Sequence, residues 1–170
     1  MVSFSLRHKK RKEHQTMTHS PQKNILSEHE VSTVVLNCID FRFRSGAPTA
    51  LKKTFGVDTY DEIKLAGGAK NVATPGRSEA RRVVVMEDID LAIKAHHATR
   101  VILLNHQNCG KYASEGSKFT DMGAERTFHQ EELARAAAIV QGSYPFAEVR
   151  TGFMYVEDDG VTVAIEEFQR

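Results

Sequence analysis

The chain has 170 residues, of which 41% are hydrophobic and 26% charged, with a formal net charge of +1. That length suits one domain with a real core, and the charge balance gives no bulk pull toward nucleic acid or a membrane surface. No apolar run approaches the roughly 20 residues of a membrane-spanning helix. The start lacks the apolar stretch of a secretory signal, so the cytoplasm is the expected compartment. There, two cysteines point to metal binding or catalysis more than to a disulfide.

Residues 1–30 read as a basic, polar arm. Arg7, Lys9, Lys10, Arg11 and Lys12 cluster around His8 with no aromatic residue among them. That favours a solvated arm, or one that docks on a partner subunit, over a nucleic-acid-binding tail. The folded domain is expected over 31–170. Val31–Leu36 is β-branched and apolar and predicts a buried strand that ends at Asn37-Cys38. Ser45-Gly46-Ala47-Pro48 breaks the chain, and a short helix is expected from about Thr49 to Phe55. Ile63–Ala66 reads as a weak second strand running into Gly67-Gly68, and Thr74-Pro75-Gly76 as a loop. Ser78 is placed to cap a helix reaching about His97, with Val85, Ile89, Ala92, Ile93 and His96 on one face.

Arg100–Leu104 is the clearest strand, and His106 follows its carboxyl end. A helix from about Glu125 to Val140 carries Leu133, Ala136, Ala137 and Val140 on one stripe. Val149–Val156 and Val161–Phe168 read as two late strands, joined by the hairpin-turn chemistry of Glu157-Asp158-Asp159-Gly160. Strands alternating with helices predict an α/β fold: a mostly parallel central sheet flanked by helices, with a C-terminal hairpin-like strand pair.

Each cysteine lies in a motif rich in catalytic residue types. The first is Cys38-Ile39-Asp40-Phe41-Arg42 and the second His106-Gln107-Asn108-Cys109-Gly110. Both fall at carboxyl ends of predicted strands, where open α/β sheets place their ligands. Two thiolates and one imidazole with a fourth position free form the donor set of a catalytic zinc site. The three-residue spacing of His106 and Cys109 on a turn lets both side chains converge on one ion, with Cys38 arriving from a neighbouring strand end. Zinc lowers the pKa of a bound water to roughly 7. Asp40 and Arg42, two apart, can form a bidentate pair. Held this way, Asp40 accepts a hydrogen bond from zinc-bound hydroxide; released, it becomes the fourth zinc ligand and closes the site. The competing reading of the cysteines is a redox disulfide, which leaves His106, Asp40 and Arg42 without a role and lacks Cys-x-x-Cys spacing. His96 and His97 read as helix-end residues more than as a proton shuttle. His129 sits in a polar helix and is assigned no role. Gly67-Gly68 lacks the Lys-Ser/Thr of a phosphate loop.

The two motifs resemble those of the β-class carbonic anhydrases, in particular its compact prokaryotic members. That family carries Cys-x-Asp-x-Arg after its first core strand and His-x-x-Cys, usually followed by Gly, after a later one. Cys38, Asp40 and Arg42, then His106, Cys109 and Gly110, match in that order, and the resemblance covers about Val31 to Phe168. It implies that Cys38, His106 and Cys109 ligate Zn2+ and that Asp40-Arg42 is the catalytic dyad. It also implies reversible hydration of CO2 to bicarbonate by a zinc-bound hydroxide, in a homodimer or an assembly of dimers with sites near the subunit interfaces. Some positions depart from the family pattern. Phe41 stands where Ser is frequent. Of the family's Arg-Asn-Ala-Gly-Asn stretch, here Lys64-Leu65-Ala66-Gly67-Gly68, only Ala-Gly remains. No Gln occurs from Glu28 to Asn37, and Pro75 to Arg82 reads as a modest insertion. These departures fall around the substrate pocket and not on the ligands. They leave open a related zinc hydrolase acting on carbonyl sulfide or carbon disulfide, and a non-enzymatic zinc-binding member.

Overall fold

The structure is a computed structural model that describes residues 29–76 and 78–168. The basic cluster from Arg7 to Lys12 lies outside the described residues. The strands are β1 (Thr33–Asn37), β2 (Asp61–Lys64), β3 (Arg100–His106), β4 (Glu148–Val156) and β5 (Val163–Phe168). The helices are α1 (Ala47–Phe55), α2 (Lys70–Ala73), α3 (Ala80–Ala95), α4 (Gly110–Ser114) and α5 (Met122–Ser143). They build one five-stranded sheet in the order β2-β1-β3-β4-β5. β1 pairs in parallel with β2 and with β3, β3 in parallel with β4, and only β5 runs antiparallel to its neighbour. The fold is therefore the expected α/β class, closed by the expected strand pair.

Side-chain alternation along the strands gives the sheet two apolar faces. Val34, Leu36, Val101 and Leu103 pack with Val85 and Ile89 of α3 and Leu133, Ala136 and Val140 of α5. Val35, Ile102 and Leu104 face the other way, onto Ala47, Ala50, Leu51 and Phe55 of α1. The chain lays β2 on one side of β1 and β3 on the other. The carboxyl ends of β1 and β3 thus flank the switch point where an open α/β sheet leaves a crevice. Among the described residues no helix is long and apolar enough to cross a membrane.

The element ends differ from expectation for local reasons. α1 starts at Ala47, because Pro48 sits in its first turn, where the missing N–H has no helical partner to lose. β2 lies two residues earlier than expected, with its register set by Val34 opposite Asp61 and Asn37 opposite Lys64. Ser78 does not cap α3: Glu79 holds the N-cap position without a side-chain bond, and only the carbonyl of Ser78 accepts, from Arg81 N at 3.2 Å. α5 begins at Met122, since Asp121 caps it by accepting from Ala124 N. β5 begins at Val163 because Asp159 Oδ1 takes the N–H groups of Val161 and Thr162, each at 2.8 Å. Gly68 has φ +53°, and a Cβ there would lie 2.3 Å from the backbone oxygen of Leu104. Only glycine lets this turn close onto β3.

Candidate metal centre

Cys38 follows the last residue of β1, His106 is the last residue of β3, and Cys109 is the N-cap residue of α4. Their ligating atoms all lie within 4.8 Å of one another, and all three residues are buried. The two sulfurs are 4.0 Å apart. Two thiolates held at ~2.3 Å by a tetrahedral ion would be about 3.8 Å apart, whereas a disulfide needs about 2.05 Å. Both cysteines are free. His106 donates from Nδ1 to the Gln107 carbonyl at 2.9 Å. That bond puts the ring's proton on Nδ1 and its lone pair on Nε2, which is buried with no hydrogen-bond partner. A metal ion would satisfy an orphaned imidazole nitrogen beside two thiols, so the donor set fits zinc.

The sulfurs are already polarised for this. The hydrogen bond from Cys109 pulls the Cys38 thiol down to about 4, against its burial and with help from His106 and Gly67. Cys109 is pushed up by the same bond and by burial. Gly67 N donates to Cys38 Sγ at 3.3 Å, which gives the Gly67-Gly68 turn a local purpose. Phe43 packs on the His106 ring, with centroids 4.7 Å apart.

Asp40 caps a short 3-10 turn at Phe41–Phe43 by accepting from Arg42 N. The Arg42 side chain then folds back on it, Nε to Oδ1 at 2.9 Å and Nη2 to Oδ2 at 2.7 Å. The guanidinium holds the Asp40 carboxyl down at about 2. Asp40 Oδ2 lies 3.9 Å from His106 Nε2. All five residues singled out in the two motifs therefore meet in one place, with the bidentate pair formed. His96 is elsewhere: its Nδ1 meets Asp61 Oδ2 at 2.7 Å, at the amino end of β2. That agrees with a helix-end role.

Further polar residues close in behind Cys109. Asn108 has φ +53°; its carbonyl accepts from Arg42 Nη2 at 2.9 Å and its N–H donates to Glu125 Oε1 at 2.6 Å. Asn105 Nδ2 donates to Tyr112 Oη at 3.0 Å and to His129 Nδ1 at 3.2 Å. Tyr112 donates in turn to Glu132 Oε2 at 3.2 Å. Glu125, His129 and Glu132 are all buried, although the sequence reading gave the first turns of this helix no inward face. The signal was there in the spacing: positions 125, 129 and 132 continue the stripe of 133, 136, 137 and 140.

A sequence profile of the family described as "Putative carbonic anhydrase" matches residues 27–166. A protein of Rickettsia bellii (strain RML369-C) is 24% identical over 148 residues, which cover 86% of this chain and 88% of that one. Among solved structures, a β-carbonic anhydrase of the ascomycete Sordaria macrospora superposes with a TM-score of 0.56 at 14% identity, over 84% of this chain and 82% of that one. A carbonic anhydrase of Streptococcus mutans gives 0.51 at 13% identity, over 84% of each chain. Profile, fold and the order of the two motifs agree: the chain belongs to the "Putative carbonic anhydrase" family and has the β-carbonic anhydrase fold.

Proposed function

We propose that the protein is a zinc-dependent carbonic anhydrase that reversibly hydrates CO2 to bicarbonate. The observation that carries this reading is the buried, unpartnered His106 Nε2 facing two free thiols beside an Asp40 held by Arg42. Cys38, His106 and Cys109 would hold the ion. Zinc bound there supplies the charge that lets water ionise near neutral pH. Arg42 engages both oxygens of Asp40, which would keep the carboxylate from serving as a fourth ligand. Asp40 would accept a hydrogen bond from the attacking oxygen and orient its lone pair toward the CO2 carbon. One C–O bond forms as one C=O π pair moves onto oxygen, one proton leaves to solvent, and the product is bicarbonate.

The test measures zinc content and CO2 hydration on the same sample. Near-stoichiometric zinc is expected, with a rate that rises toward alkaline pH. Fully metallated protein that hydrates CO2 no faster than buffer would end this reading. Turnover of carbonyl sulfide or carbon disulfide in its place would identify the hydrolase alternative, and zinc without any turnover the non-enzymatic one.

A homodimer, or an assembly of dimers, is part of the same proposal. Val83, Val84 and Leu91 on α3 and Ile39 and Phe41 beside the site are exposed apolar side chains that a subunit interface could cover. The Sordaria macrospora proteins are described as tetrameric. Light scattering at micromolar concentration should report at least twice the chain mass. A clean monomer contradicts it.

A further inference from the structure

We infer that Glu125, on α5, is a positioning residue for the metal centre: its carboxylate grips the Asn108 N–H and so fixes the turn that presents Cys109. This rests on the metal-binding reading above. The His106-to-Cys109 turn passes through Asn108 at φ +53°, a conformation that asparagine tolerates better than other non-glycine residues. Gln107 ties the first half of the turn to β4, its N–H donating to the Met154 carbonyl at 2.9 Å and its Oε1 accepting from Val156 N at 3.1 Å. Asn108, the residue next to Cys109, is held by side chains instead.

Two side chains hold the Asn108 peptide groups. Arg42 donates to the Asn108 carbonyl at 2.9 Å, and Glu125 accepts from the Asn108 N–H at 2.6 Å. The second is a short, charge-assisted bond. α5 also secures the other end of the motif. His129, one turn after Glu125, receives a hydrogen bond from Asn105, the residue before His106. With Nδ1 accepting, His129 carries its proton on Nε2, which faces Glu125 Oε1 at 3.7 Å. Both ligands of the motif thus have a neighbour tied to the same helix face.

Glu125 borders a cavity beside Cys109 and Asn108, and its Oε1 is directed to the Asn108 N–H. It is 3% exposed, and among the described residues no lysine or arginine lies within ion-pair distance of it. Among the described residues, the one ionisable side chain within 4 Å of its oxygens is His129, which burial holds at about 4 and so leaves neutral. Burial pushes the Glu125 carboxyl up. A carboxyl group in such a place costs stability unless its hydrogen bonds compensate. The positions that continue its stripe are Leu133, Ala136, Ala137 and Val140. An apolar side chain at 125 would extend that core, but it would leave the Asn108 N–H without its acceptor.

The experiment measures zinc affinity by competition with a chromophoric chelator, and thermal stability of the metal-free forms, for the full chain and four variants. Glu125→Asp withdraws the carboxylate by one methylene, and Glu125→Leu removes it. Both should bind zinc about tenfold or more weakly, the usual effect of losing an outer-shell partner. Glu125→Gln keeps an oxygen in place and should stay within about threefold of the native chain, since a neutral acceptor is weaker but still aligned. Leu133→Ala, on the same helix, should lower the melting temperature and leave zinc affinity unchanged. If Glu125→Leu does not fold, the Asp and Gln variants decide. Glu125→Asp binding zinc as tightly as the native chain overturns the role of Glu125. So does Leu133→Ala losing as much affinity as the Glu125 variants. A native chain that binds no zinc overturns the metal reading itself, a result distinct from both.

Discussion

Cys109→Ser is expected to remove most of the zinc from protein purified without added metal, while leaving the fold in place. The site has three protein donors, and each converges with the other two to within 4.8 Å. Replacing one thiolate by a hydroxyl leaves one sulfur and one imidazole, since serine does not ionise near neutral pH to supply the lost charge. About a hundredfold or greater loss of affinity follows, beyond the 10–100-fold that outer-shell changes produce. The fold should survive for a local reason. Cys109 is the N-cap residue of α4 and makes no side-chain cap bond, and serine is among the preferred residues at that position. Low zinc content with an unchanged metal-free melting temperature is the expected pair of results. Full zinc retention would remove Cys109 from the ligand set. Oxidation of Cys38 and Cys109 to a disulfide would imitate metal loss, so free thiols must be counted on the same sample.

Much of this site was legible in the sequence because the strands that carry it are legible. Val34, Val35 and Leu36 in β1 and Val101 to Leu104 in β3 are all fully buried. A strand buried on both faces shows as an unbroken apolar run, which needs no periodicity to detect. Each run ends one residue, an asparagine, before its motif, so the placement of Cys38 and His106 followed from the run ends. What escaped the reading was whatever depends on contacts distant in sequence. α2 and α4 are too short for a helical period to register. The register of β2 is fixed by its pairing with β1 and not by its own residues, hence the two-residue shift. Glu125, His129 and Glu132 escaped for a different reason. A search for apolar periodicity counts polar residues as outward, but here a polar stripe turns inward to meet Asn108, Asn105 and Tyr112. The Gly67-Gly68 turn, in which Gly68 departs from the family pattern, also became intelligible only in three dimensions. The first glycine brings an N–H to Cys38 Sγ, and the second lets the backbone close on Leu104.

Asp40→Ala should reduce CO2 hydration by about a hundredfold or more, within the range for loss of a positioned acid–base group, and leave zinc content near that of the native chain. The three donors do not include Asp40 when Arg42 holds it, so its removal takes away orientation of the attacking oxygen and not the metal. The alanine variant has one ambiguity: Asp40 also caps the 3-10 turn through Arg42 N, so turnover could fall because the turn loosens. Asp40→Asn resolves it. Its amide oxygen can still accept from Arg42 N and Nε, which keeps the cap of the turn, although the amide NH2 then meets the Arg42 Nη2 donor in place of an acceptor. The group left facing His106 is then an NH2, a donor where the reaction needs an acceptor. Asp40→Asn should therefore be impaired nearly as much as Asp40→Ala. Arg42→Leu separates the two jobs of the pair. It frees Asp40 to reach the metal but also removes the bond to the Asn108 carbonyl, so turnover should be lost while zinc content reports the balance between a gained carboxylate ligand and a loosened Cys109 turn. If Asp40→Asn keeps native turnover at full zinc occupancy, Asp40 does no more than hold its own turn, and the orientation of the nucleophile must come from elsewhere.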